Sequence, residues 1–125
     1  MIMKTHNEKG EKLELYYQLL LEQYLNNKNA KHMRLNHGIT DLTTSEYHIE
    51  IKKWSNFSQV IGQLEMYQEQ SWRPKLYAVF FGKTSEKNKE LAISIFKKKG
   101  IGVYEFNEYD QIIIYNEPVE HMDTT

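Results

Sequence analysis

Apolar and polar residues alternate along this chain in two rhythms, one of helical period and one of period two. From Glu11 to Asn26, Leu13, Tyr16, Tyr17, Leu20, Tyr24 and Leu25 recur at helical spacing. Glu14, Gln18 and Glu22 fall every four residues on the other side. This predicts a helix that stops at Asn27 to Asn29. Lys31 to Asn36 then reads as a strand with Met33 and Leu35 inward, and His37-Gly38 as a bend. Ile39 to Thr43 is a second strand, or a continuation of the first past a bulge, ending around Asp41. After the turn Thr43-Thr44-Ser45, the stretch Glu46 to Trp54 has a period of two: Ile49 and Ile51 on one side, Glu50 and Lys52 on the other.

The helical rhythm then returns. Ser55-Asn56 opens a helix, with Asn56 as its cap and Gln59 completing a capping box, and Phe57, Val60, Ile61 and Leu64 point inward. Arg73-Pro74 breaks it. Lys75 to Gly82 holds Leu-Tyr-Ala-Val-Phe-Phe, the pattern of a strand covered on both faces. Ser85 caps a helix from Glu86 to Lys99, with a stripe of Leu91, Ala92, Ile95 and Phe96 and a stop at Gly100. Ile101 to Phe106 is a strand parallel to the previous one, reached by a right-handed crossover. Asn107 to Asp110 turns the chain into a last, antiparallel strand, Gln111 to Tyr115. Met1 to Gly10 and Glu117 to Thr125 read as frayed tails. The order predicts a single α/β domain, a mixed central sheet flanked by helices.

Composition narrows the function. The chain has 125 residues, enough for one core. Its 16 basic and 17 acidic residues give a net charge of −1, so any basic contact surface must be local. It has no cysteine, which excludes disulfides, cysteine-ligated zinc and a thiol nucleophile. The N-terminus is too polar for a signal peptide, and the longest apolar run, Leu76 to Phe81, is too short to span a membrane. A soluble intracellular protein is the expectation.

The candidate chemistry sits around the third strand. The turn after Asp41 lets that residue lie beside Glu50. Two carboxylates placed together favour a divalent cation, and the carbonyl of Ile51 offers a third oxygen. An all-oxygen site suits Mg2+ or Mn2+ rather than zinc. Lys52 would hold a water or a phosphate oxygen beside the cation. Such a set is suited to hydrolysing a phosphodiester. Lys31, Arg34, Lys53, Arg73 and Lys75 would contact phosphates around the site, with Trp54 stacking on a base. The alternative for these is an ordinary soluble surface. Gln63 and Tyr67, four apart, share one helix face. His48 shares the face of Glu50, as a solvent-side neighbour or a substrate contact. Gly82-Lys83-Thr84 resembles the end of a phosphate-binding loop, but Tyr77 stands where that loop needs a glycine.

Asp41, Glu50 and Lys52 resemble the D…(D/E)xK signature of the PD-(D/E)xK nuclease superfamily. More narrowly, Gly38-Ile39-Thr40-Asp41, Ile49-Glu50-Ile51-Lys52 and Gln63-Leu64-Glu65-Met66-Tyr67 are similar to the GxxD, ExK and QxxxY motifs of RecB-type nuclease domains. Thr40 replaces the proline that precedes the aspartate. The resemblance implies a restriction-endonuclease-like three-layer sandwich with an αβββαβ core, here with an αββ extension. It implies a Mg2+- or Mn2+-dependent nuclease with Asp41 and Glu50 on the metal, Lys52 on the water, and Gln63 and Tyr67 steadying the site or the substrate strand. It makes Glu22 a further ligand from the first helix, the alternative being a solvated helix face. With no cysteine, the iron–sulfur cluster of some RecB relatives is excluded. DNA is favoured over RNA, because the cap-snatching RNA endonucleases of this fold place their lysine differently. The rival readings are a non-catalytic nucleic-acid-binding or assembly module on the same fold and an RNA endonuclease. A homodimer or a larger protein partner is compatible with each.

Overall fold

The computed structural model describes residues 4–29, 34–35, 41–43, 47–68 and 75–119, with the backbone alone at 26–29, 34–35, 41–43 and 67–68. Its elements run α1 (Glu14–Asn29), β1 (Arg34–Leu35), β2 (Asp41–Thr43), β3 (Tyr47–Lys53), α2 (Phe57–Gln68), β4 (Lys75–Phe81), α3 (Glu86–Lys98), β5 (Gly102–Phe106) and β6 (Ile112–Asn116). The strands form one mixed sheet in sequence order. β3, β4 and β5 are parallel, and the other neighbours are antiparallel.

The two parallel crossovers step the same way across the sheet, so connections of one hand put both helices on one face. There Val60 and Leu64 of α2 and Ala92 and Phe96 of α3 pack on Leu76, Ala78, Phe80 and Val103. On the opposite face Tyr17 and Leu21 of α1 pack on Ile49, Ile51, Val79, Phe81 and Phe106. The result is three layers, with β4 contributing to both cores as its unbroken apolar run predicts. Among the described residues no helix is long and apolar enough to cross a membrane.

Several boundaries differ from expectation for local reasons. α1 starts at Glu14, three residues later than expected, and Lys4 to Gly10, expected to fray, join Glu11 to Leu13 in a turn closed by a His6–Lys12 bridge and a bond from Leu13 N to Thr5 O. Tyr17 stacks on Phe81 at 4.2 Å, which fixes the rotation of α1 and turns Gln18 and Leu21 inward as well. Gln18, read as polar-side, is therefore buried. A 3-10 turn, Trp54–Asn56, leads into α2, so Asn56 lies inside a turn whose cap is the extended Lys53. In α3 the inward line is Ala92 and Phe96 flanked by Ile93, and Leu91 is 52% exposed. Ser85 caps α3 as expected, accepting from Asn88 N at 3.2 Å. Gly100 (φ 73°) ends it with a bond from Ile101 N to Phe96 O. Gly102 admits Pro118, whose Cδ would lie 2.8 Å from an added Cβ, so the segment after β6 can cross tightly over β5.

Burial, together with the nearby Glu117 carboxylate, raises the Tyr77 hydroxyl to about 12. Burial and a hydrogen bond to Glu117 push Tyr104 up further, and burial and a bond to Glu105 do the same to Tyr115. A folded-state value above that of the unfolded chain, 10.0, stabilises the fold fully below pH 10 and progressively less above it. The expected result is a melting temperature that declines as pH rises through about 10 to 12, together with late tyrosinate absorbance. Tyrosines that all titrate at the free value, with no loss of stability, would contradict this.

Candidate active site

The candidate site grows from the short β2–β3 pair. The register sets Asp41 opposite Glu50, Leu42 opposite Ile49 and Thr43 opposite His48. Direct partners in an antiparallel pair lie on one face of a sheet, so Asp41 and Glu50 share a face. The pleat puts His48, Glu50 and Lys52 with their β4 partners Leu76, Ala78 and Phe80, on the side covered by α2 and α3. Ile49 and Ile51 occupy the α1 side, as the period-two pattern predicts.

Glu50 is only 3% exposed. Its Oε1 lies 2.8 Å from Nε2 of the fully buried His48. Its Oε2 is buried, and no hydrogen-bond donor reaches it among the described residues. Gln63, on α2 above the same face, also has a buried Oε1 that no donor reaches. A buried acceptor without a donor is destabilising, and more so when it carries charge. Gln18 Oε1 and Asn116 Oδ1, elsewhere in the fold, are left in the same way; of these oxygens, that of Glu50 is the one that belongs to an acidic group and so suits a cation. Lys52, at the end of β3, brings Nζ to 3.7 Å from Glu14 Oε2. Among the described residues no three His, Asp or Glu side chains converge on one point, and the Asp41 side chain lies outside that description.

The remaining predicted residues are not all brought here. Glu22 was the expected α1 ligand, but the α1 carboxylate in contact with the motif is Glu14, and Glu22 stands eight residues, about 12 Å, further along the helix axis. Ile51 lies between Glu50 and Lys52 in β3, its side chain buried in the α1-side core. Tyr67 is in α2, four residues after Gln63, with its side chain outside the described set. Lys53 and Lys75 are not brought to this face: each lies an odd three register positions from Glu50, in line with Ile49 and Ile51 on the α1 side. Trp54 is corrected outright. It is 1% exposed, stacked on Phe80 at 4.4 Å, and no face is left for a base. Arg34 lies in β1 opposite Thr43, its side chain outside the described set. Lys31 and Arg73 lie outside the described residues. His48 is not a solvent-side neighbour but a buried partner of Glu50.

Sequence reasoning passed over two acids. Glu14 sat in the line read as polar. Glu105 is buried in β5, where it accepts from Trp54 Nε1 at 2.7 Å and Tyr115 OH at 2.5 Å and pairs with Lys89 Nζ at 2.9 Å. A lone charge at an inward position of an apolar strand was the available signal. Three donors leave this carboxylate committed, so it ties the start of α2 to α3, β5 and β6 rather than offering a site.

Set beside known proteins, the chain matches no family model, no curated protein and no solved structure.

Proposed function

We infer that this chain is a divalent-metal-dependent nuclease of PD-(D/E)xK type, hydrolysing phosphodiester bonds with DNA as the favoured substrate. The observation that carries the reading is the register pair Asp41–Glu50, with Lys52 two residues on and Glu50 Oε2 buried without a donor. The element order supports it too. α1, β1 to β3, α2 and β4 follow the αβββαβ order of restriction-endonuclease-like folds, with α3, β5 and β6 as the extension.

In this reading Glu50 and Asp41 hold Mg2+ or Mn2+, with the Ile51 carbonyl as a further oxygen. When bound, the cation neutralises charge on the phosphate and lowers the pKa of water. Lys52 orients the attacking water or a phosphate oxygen; its ammonium lies 3.7 Å from Glu14 Oε2 of α1. Gln63 and Tyr67, on one face of α2, steady the site or the substrate strand.

One observation favours a second reading. Glu50 is nearly enclosed and already paired with His48, as in a purely structural polar pair. That would suit a non-catalytic module on the same fold. A cleavage panel of single-stranded, double-stranded and branched DNA and of RNA, with Mg2+ and Mn2+, separates the two. The nuclease reading expects cutting of at least one DNA form, stopped by a chelator. If every substrate stays intact in both metals, the nuclease reading is lost.

A further inference from the structure

His48 lies one pleat before Glu50 on the same face, fully buried, with Nε2 at 2.8 Å from Oε1. It belongs to none of the three motifs. We propose that His48 is a positioning residue that sets which divalent cation the site accepts, by holding Glu50 Oε1 and leaving Oε2 as the metal-facing oxygen. The inference rests on the cation site of the nuclease reading and adds a selectivity device to it.

The direction of the bond follows from charge. A carboxylate that ligates a metal is ionised and can only accept, so the hydrogen is on Nε2 and His48 donates. A bond to an ionised acceptor is short and strong, and here it fixes the plane of the carboxylate. It also draws electron density toward Oε1. Oε2, buried and without a donor among the described residues, is the oxygen that still lacks a partner. Mg2+ and Mn2+ suit a compact, near-octahedral shell in which a carboxylate gives one oxygen. Ca2+ takes more oxygens at longer distance and readily chelates both oxygens of one carboxylate. A held Oε1 therefore works against Ca2+. Residues that hydrogen-bond a ligand commonly tune metal affinity about 10- to 100-fold.

The test uses His48→Gln and His48→Asn in the full chain. The glutamine amide nitrogen falls near the position of Nε2 and keeps a donor on Oε1. The asparagine amide falls near Nδ1 and does not reach. Both are polar and both disturb the core, so a merely structural role would treat them alike. Each protein is titrated calorimetrically with Mn2+ and with Ca2+, and the metal-free melting temperature is recorded. His48→Gln is expected to keep the wild-type preference for Mn2+. His48→Asn is expected to bind Mn2+ about 10- to 100-fold more weakly and to discriminate less against Ca2+. Equal Mn2+-to-Ca2+ ratios in the two variants, with the wild type binding Mn2+, overturn this inference and leave the nuclease reading standing. A wild type that binds no Mn2+ removes the cation site, and this inference with it.

Discussion

Glu50→Gln should abolish metal-dependent cleavage and leave the protein folded with an unchanged or higher melting temperature. The amide is nearly isosteric with the carboxylate, and its carbonyl can still accept from His48 in the position of Oε1. What changes is the buried Oε2, which becomes an NH2 donor aimed where a cation is to sit. Losing one preorganised electrostatic partner at a transition state costs at least about 100-fold in rate. Asp41→Ala removes the acid on the opposite strand and should be as severe. Lys52→Ala removes the group that orients the water, for about 100- to 10,000-fold. Stability should move the other way in Glu50→Gln, because an ionised oxygen buried without a donor is exchanged for a neutral amide. Gel assays of cleavage beside thermal melts read both quantities. A Glu50→Gln protein that cuts at the wild-type rate means that Glu50 is not a ligand.

The order of elements was legible in the sequence because each long stretch carries one dominant rhythm. β3 alternates cleanly, β4 is apolar throughout, and α3 has both Ser85 before it and Gly100 after it. These signals are local, and local physics produces them. The errors arose where rotation or reach depends on partners distant in the chain. Periodicity in α1 gave a broad apolar arc, and only the stacking of Tyr17 on Phe81 decides which part of it faces inward. That choice buries Gln18 and brings Glu14 rather than Glu22 to Lys52. Trp54 and Glu105 are fifty-one residues apart in the chain, so their bond left no mark on either stretch. The Asp41–Glu50 pairing was legible because few residues separate β2 from β3 in the sequence, which leaves little choice of register. The place of His48 was half legible. Its shared face with Glu50 follows from period two, but its complete burial comes from the layer above the sheet.

Trp54→Ala should be among the most destabilising single changes in this chain and should say little about nucleic acid directly. The indole is 1% exposed and stacks on Phe80 at 4.4 Å with an interplanar angle of 17°. Truncating a buried tryptophan to alanine costs about 3–5 kcal/mol. For a domain of this size that is a fall of roughly 10–20 °C in melting temperature. Part of the loss comes from Glu105, which keeps Lys89 and Tyr115 but loses the indole N–H. Trp54→Phe keeps an aromatic ring against Phe80 and removes the donor together with part of the indole's buried volume, so it should cost at least about 1.5–3 kcal/mol, the range for a hydrogen bond to a charged group. A base-stacking tryptophan would behave differently: its replacement by alanine would weaken nucleic-acid binding and scarcely move the melting temperature. Melts of the two variants beside a binding titration distinguish these patterns. A small stability change with a large binding loss would put the indole back at the surface.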